Sequence, residues 1–336
     1  MTIASSSAAM QGGESARVGS SPFSVVALDI GGTKMAGCVA VYAHPGAKPE
    51  VTLRRSVPTL AQQGGADVLA RACELASGLV EQARALEGVR FEGVGVSSAG
   101  SIRESDGLIA FANDLMPGWM GQPLGAELER VCEAPVAVLN DVHAHAMGEL
   151  RHGAAKGSSV AIMVAAGTGL GGAVIVNGQV LGGAHGYAGT LGHVLHPAAL
   201  GHPSGWAGTG HLESVVAGSG IEECYRALGG EAISGGEISK RANAGEGMAL
   251  AVIEQSGRSL GEAIASWCDV LDPEVVVLAG SVCKAGPLWR NALEDGLRGF
   301  ILPEMADLRI ADAELGDDAP LIGAAEKLLD KVAPAR

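Results

Sequence analysis

Ala27-Leu28-Asp29-Ile30-Gly31-Gly32-Thr33-Lys34 decides how this chain is read. An apolar strand, Ser24–Leu28, runs into a carboxylate and turns through paired glycines into a hydroxyl and an amine. A carboxylate at a strand end can hold the hydration shell of Mg2+. Glycines, lacking a Cβ, let backbone N–H groups approach phosphate oxygens, and Thr33 adds a donor. Asp-x-Gly-Gly also closes many buried strands for turn reasons alone. Here the design recurs: Gly167-Thr168-Gly169-Leu170-Gly171-Gly172 follows the apolar run Val160–Ala166. Two strand–glycine turn–strand units predict two lobes that grip one polyphosphate from opposite sides.

The order of elements around the first turn narrows the fold. Strands are predicted at Ser24–Leu28, Met35–Tyr42 and Val51–Val57. A helix from Ala66 to Leu86 follows, with Val68, Leu69, Ala72, Leu75, Ala76 and Leu79 on one face, and then a buried strand at Phe91–Ser97. A dinucleotide-binding domain would place a helix directly after the first glycine turn. Met35-Ala36-Gly37-Cys38-Val39-Ala40-Val41 is a strand instead, which excludes that fold. The β-β-β-α-β order is that of an RNase H-like, or actin-like ATPase, lobe. The fold class predicted is therefore α/β, with two such lobes and the active site in the cleft between them.

Further along, Gln122–Glu133 reads as a helix, Val136–Leu139 as a strand and Asp141–Leu150 as a helix. The second lobe opens with strands at Val160–Ala166, Gly172–Val176 and Gln179–Leu181, and His185–Gly220 reads as loop-rich. Helices at Met248–Leu271 and Pro287–Arg298 flank a strand at Glu274–Leu278. That strand ends in Ala279-Gly280-Ser281, suited either to packing against a nucleotide or to a plain turn. A last helix, Leu321–Leu329, is expected to return to the first lobe. The division expected is a disordered tail at 1–22, a first lobe at 23–140 completed by a helix at about 319–332, and a second lobe at 141–318.

Bulk properties agree with this reading. A length of 336 residues exceeds the usual single core. With 47% hydrophobic residues but only 3% aromatic, the core must be built from Val, Leu, Ile and Ala. A formal charge of −14 argues against an extended nucleic-acid or anionic-membrane surface. It leaves phosphate binding open, because glycine turns hold anions with backbone dipoles. Six cysteines without a C-x-x-C pair read as free thiols in a reducing cytoplasm. No apolar run reaches membrane-spanning length, and the first residues lack the apolar core of a signal peptide.

The residues with chemistry converge on Val136-Ala137-Val138-Leu139-Asn140-Asp141, which puts an amide and a carboxylate at a strand tip before a helix. A buried Asp141 there can take the proton of a substrate hydroxyl as it attacks phosphorus, while Asn140 fixes a sugar. Asp141 can equally cap the helix, and one carboxylate can serve both purposes.

These motifs, in this order, make the chain similar to the ROK family of repressors, open reading frames and sugar kinases, from about Val25 to the Leu321-Ile322-Gly323-Ala324-Ala325 segment. The resemblance implies ATP and sugar in the cleft, Mg2+ with the nucleotide, and transfer of the γ-phosphoryl group, usually to a hexose 6-hydroxyl. It makes Asp141 the catalytic base and gives Asn140, Thr190, His193 and Glu213 to the sugar. Gly100 lies in a turn, Ser98-Ala99-Gly100, that resembles the substrate-side loop. Either Asn113 or Asp114 fills a further sugar-contacting position. Asp29, Gly31, Gly32, Thr33, Lys34, Gly167, Thr168, Gly169, Gly171 and Gly280 fall to the nucleotide. A homodimer in the cytoplasm is the expected assembly.

The chain departs from the family pattern where a Glu-x-Gly-His element would carry Glu: it reads Thr190-Leu191-Gly192-His193. The three cysteines of the family's zinc loop are replaced by Ser204, Trp206 and His211, so no structural zinc is expected, with His193 the only retained ligand position. His193, His196, His202 and His211 leave a replacement cluster conceivable. The repressor branch carries an N-terminal helix-turn-helix, whereas 28 residues precede Asp29 here and show no amphipathic pattern. A sugar kinase is therefore expected. The short Thr190 suits an N-acylhexosamine, N-acetylmannosamine first, with glucose or a related amino sugar or cyclitol as alternatives.

Overall fold

The computed structural model describes residues 21–203 and 208–332. The predicted tail, apart from its last two residues, and the zinc-loop replacements Ser204 and Trp206 lie outside the described residues. Two five-stranded sheets form the frame. In the first, β1 (Phe23–Ile30), β2 (Lys34–Tyr42), β3 (Glu50–Pro58), β4 (Arg90–Ser98) and β7 (Val136–Asn140) lie in the order β3-β2-β1-β4-β7. In the second, β8 (Ala161–Ala166), β9 (Leu170–Val176), β10 (Gln179–Val180), β11 (Val275–Ala279) and β12 (Arg309–Asp312) lie in the order β10-β9-β8-β11-β12. Each sheet is an antiparallel meander of three strands extended by two parallel ones. The second repeats the topology of the first.

Each sheet is covered on both faces, so its central strands are apolar at nearly every position. Val26, Leu28 and Ile30 of β1 join one core with α1 (Gly65–Arg84) and α2 (Leu124–Cys132). Phe23, Val25 and Ala27 point the other way, into a core with α9 (Ala319–Val332). Period-two alternation therefore puts Asp29 on the α9 face, at the end of its strand.

Two helices connect the sheets. The first, α3 (Asp141–His152), leaves β7 and leads to β8; α9 leaves β12 and packs back against β1, β4 and β7. They cross at glycines. A Cβ on Gly323 would lie 1.8 Å from Ala144 O, and one on Gly148 would lie 2.3 Å from Ala319 O. The Glu149 carboxylate, fully buried, accepts the N–H groups of Ala154 (2.8 Å), Glu314 (3.1 Å) and Leu315 (2.8 Å), fastening the end of α3 to the segment entering α9.

Three features depart from the sequence reading. The hairpin of β5 (Ser101–Arg103) and β6 (Leu108–Phe111) is too short to show period-two alternation. The region read as loop-rich ends in α4 (Glu213–Val216) and α5 (Gly218–Ala227), followed by α6 (Gly235–Asn243). Glycines at Gly218, Gly220, Gly229 and Gly230 mask α5, although Ile221, Cys224 and Tyr225 are buried at helical spacing. Ser234 accepts the Glu237 N–H at 3.3 Å, the cap of α6 and one half of a Ser-x-x-Glu capping box. The remaining helices, α7 (Gly247–Leu271) and α8 (Pro287–Phe300), match expectation within two residues. All six cysteines are free, and burial pushes Cys38 and Cys268 up to about 12. Among the described residues no helix is long and apolar enough to cross a membrane.

Candidate active site

Asn140 and Asp141 stand where β7 becomes α3, and the structure separates their roles. The N-cap is Asn140, not Asp141: its Oδ1 accepts the N–H of Val142 at 3.0 Å and of His143 at 3.3 Å. Its Nδ2 donates to Gly100 O at 2.8 Å, and the same side chain hydrogen-bonds towards the Asp141 carboxyl, favouring its ionised form. Asp141 Oδ1 accepts the Val142 N–H at 2.8 Å. Burial, chiefly, pushes the Asp141 carboxyl up to about 6; the Val142 N–H opposes this and the charge of Asp29 adds to it. A carboxylate so placed is a base poised to titrate near neutral pH.

Asp29 owes its setting to the sheet. Asp29 and Ser97 are register partners in the parallel pair β1–β4, so both project from the same face, and Ser97 Oγ donates to Asp29 Oδ1 at 2.6 Å. Burial raises the Asp29 pKa, against the Ser97 hydrogen bond and the Lys34 charge, which lower it. Sequence reasoning missed Ser97, because its contact with Asp29 exists only once β4 is known to pair with β1.

Three cavities divide the predicted residues. The first, about 320 Å3, is lined by Gly32, Gly100, Asn113, Asn140, Asp141, Gly171 and Thr190. Asn113 rather than Asp114 reaches its wall. Gly171, expected on the nucleotide, instead faces Asp141's cavity, where a Cβ would meet Val142 Cγ2 at 2.7 Å. The second cavity, about 580 Å3, opens between Gly167-Thr168, the start of α5, α6 and Ser281–Gly286. Gly167 O accepts the Gly218 N–H at 2.8 Å, and Thr168 O accepts the Ser219 hydroxyl at 2.9 Å, which joins the glycine turn to the α5 terminus. Ser219, Lys240, Asn243 and Lys284 on its wall carried no recognisable motif. The third, about 390 Å3, is lined by Asp29, Lys34, His145 and Asp317.

The other predicted residues line none of the three. Gly31 and Thr33 close the β1–β2 turn through their backbones, the Gly31 N–H reaching Lys34 O at 3.1 Å and Thr33 O accepting the Thr59 N–H at 2.9 Å. A Cβ on Gly280 would lie 2.1 Å from Ala166 O, so this glycine lets β11 and β8 end side by side while Ser281 faces the second cavity. Glu213 accepts the Leu170 N–H at 2.8 Å and braces the second glycine turn beside Gly169 from behind. His193 stacks on His211, ring centroids 5.1 Å apart and planes 3° from parallel. Burial lowers its pKa against the pull of Glu213.

The histidines of this loop do not form one shell. His196 Nε2 meets Glu262 at 3.3 Å, and His202 Nδ1 lies 3.8 Å from Cys224 Sγ. Parallel stacked imidazoles send their in-plane lone pairs along separate lines rather than to one ion. Among the described residues no three His, Cys, Asp or Glu groups converge as a metal would require. Purified, untagged protein is expected to hold well below one zinc per chain by elemental analysis, with activity unchanged by a chelator in excess Mg2+. Stoichiometric zinc, lost together with activity, would reverse this.

Paired lobes of repeated topology, a glycine turn from each, and a buried carboxylate between them define the actin-like ATPase fold in its phosphotransferase form. The chain belongs to the ROK family, which it matches over residues 25–331. It is 30% identical over 315 residues to a glucokinase of Halalkalibacterium halodurans, covering 89% of this chain and 92% of that one. An N-acetyl-D-glucosamine kinase of Pectobacterium atrosepticum is 28% identical over 307 residues, covering 89% and 96%. The crystal structure of a ROK hexokinase from Thermus thermophilus superposes with a TM-score of 0.80 at 31% identity, over 93% of this chain and all of that one.

Proposed function

We propose that this ROK-family carbohydrate kinase transfers the γ-phosphoryl group of ATP to the 6-hydroxyl of a hexose or N-acylhexosamine, with N-acetylmannosamine favoured. It acts in the cytoplasm as a homodimer. Asp141 carries the reading, because a base near pH 6 on the wall of a sugar-sized cavity is what a hydroxyl nucleophile needs.

The sugar lies in the first cavity with its reacting hydroxyl on Asp141. Asn140, locked by its cap and by Gly100, lines the same space as Asn113 and steadies the Asp141 carboxylate. ATP lies with its nucleoside in the second cavity and its phosphates between the two glycine turns, where backbone N–H groups carry the anion. Asp141 takes the hydroxyl proton as the oxygen attacks the γ-phosphorus in line and ADP leaves. Asp29, fixed by Ser97, offers the hard oxygen that Mg2+ favours beside phosphates and water, and Lys34 adds positive charge there. The cation supplies charge neutralisation on the phosphoryl oxygens.

Thr190 supports the choice of an N-acylhexosamine. Its hydroxyl donates to Tyr187 O at 2.6 Å, so towards the cavity it offers only lone pairs and no charge. It leaves room where the family's Glu would reach for ring hydroxyls. The similarity to a glucokinase favours glucose as the second reading. A coupled assay with ATP across glucose, mannose and their N-acetylated amines decides between them. Thr190→Glu is expected to raise kcat/KM for glucose and lower it for N-acetylmannosamine, swinging their ratio by about tenfold or more. Parallel changes for both sugars would make position 190 structural and remove this support.

A further inference from the structure

Two large side chains on the Asp141 cavity take no part in phosphoryl transfer. Leu115 is 68% exposed and Tyr187 is 43% exposed, and both line the cavity. They face it from opposite lobes, Leu115 from the segment between β6 and α2 and Tyr187 from the segment after β10.

Each is displayed on fixed backbone. The Leu115 N–H donates to Asn113 Oδ1 at 3.2 Å, and the Met116 N–H to Asn113 O at 3.1 Å. Beneath this turn Met116 and Trp119 are buried, with the Trp119 indole N–H donating to Ala99 O at 3.2 Å. On the other wall, Tyr187 O accepts both the hydroxyl (2.6 Å) and the N–H (3.2 Å) of Thr190. The neighbouring Ala188 O meets His143 Nε2 at 2.9 Å, and the Ala188 N–H reaches Gly182 O at 3.3 Å.

Large apolar groups held open to solvent by tied turns on the mouth of a ligand cavity are placed to meet an apolar part of that ligand. The polar wall formed by Asn113, Asn140 and Asp141 answers sugar hydroxyls. Ring hydroxyls gain nothing from a leucine and a tyrosine ring, whereas apolar C–H groups do, and the hydrocarbon end of an amide substituent is the most apolar part of such a ligand.

We propose that Leu115 and Tyr187 form an acyl subsite that covers the alkyl end of the substrate's N-acyl group from both lobes and reads its length. This rests on the amino-sugar reading above. The test is kcat/KM across N-acetyl-, N-propanoyl- and N-butanoylmannosamine, with glucose assayed beside them. The wild-type protein is expected to lose about tenfold from acetyl to butanoyl, the low end of what added methylenes cost in an apolar pocket, because both walls stand partly open. In Leu115→Ala and Tyr187→Ala that ratio should collapse to about one, because the space removed admits the longer chain. Tyr187→Phe, which keeps the ring, should restore the wild-type slope, as should Leu115→Met for the other wall. Unchanged slopes in both alanine variants overturn the subsite and leave the amino-sugar reading standing. A wild-type protein that phosphorylates glucose but none of the acylated sugars overturns both.

Discussion

Asp141→Asn is expected to lower kcat by roughly 10²-fold or more while ATP still binds, because the amide keeps the size of the side chain and cannot take a proton. The same carboxyl sets the pH profile. Only its ionised form accepts the hydroxyl proton, so kcat/KM of the wild-type protein should rise with pH through about 6 and level off above it. Stability moves the opposite way. A folded pKa above the ordinary aspartate value of 3.8 means that the folded protein binds the proton more tightly than the unfolded chain. Ionised Asp141 is therefore destabilising at pH 7 and above, by at most about 3 kcal/mol, and the penalty disappears as pH falls below 3.8. Asp141→Asn should thus melt higher than wild type at pH 8 and lose that advantage in acid. Steady-state kinetics with thermal unfolding at several pH values reads both effects, and near-normal kcat in the variant would remove Asp141 as the base.

Local chemistry in the chain was legible where one segment carries both its structure and its ligand. Asp29-Ile30-Gly31-Gly32 is a strand end and a turn whatever surrounds it, and the absence of a helix after Lys34 sufficed to choose the fold. Contacts between distant segments were not legible. Ser97 meets Asp29 only because β4 lies beside β1 in that register. Glu213 is acidic and follows a histidine-rich loop, yet its carboxylate turns to the Leu170 N–H and steadies a glycine turn. Gly280 reads as packing on a nucleotide or as a plain turn, and the closeness of Ala166 requires it as well. Asp141 reads as a base that can also cap the helix, and its neighbour Asn140 is the N-cap. Asp141 accepts the Val142 N–H and lines the cavity, a division that two adjacent polar residues do not reveal by sequence alone.

Glu149 is expected to matter to stability as Asp141 matters to rate, and the two stand on one helix. Its Oε2 accepts the Ala154 and Glu314 N–H groups, its Oε1 accepts Leu315 N–H, and the side chain is fully buried. Glu149→Ala leaves the buried Ala154 N–H and the half-buried Glu314 and Leu315 N–H groups without their acceptor, at a cost of about 2–4 kcal/mol. Glu149→Gln keeps the volume but turns one acceptor into a donor that faces an N–H, so about 1–3 kcal/mol is lost. The damage should also reach the reaction. The residues that Glu149 fastens lead into α9, and Gly323 of α9 packs on Ala144, one turn from the Asp141 carboxylate. If that contact holds α3 in place, Glu149→Gln should lower kcat at a temperature where the variant is still folded, with KM for ATP little changed. Denaturant unfolding and kinetics on the same preparation test this. A loss of stability without any loss of kcat would confine Glu149 to the fold and leave the base positioned by Asn140 and Gly100 alone.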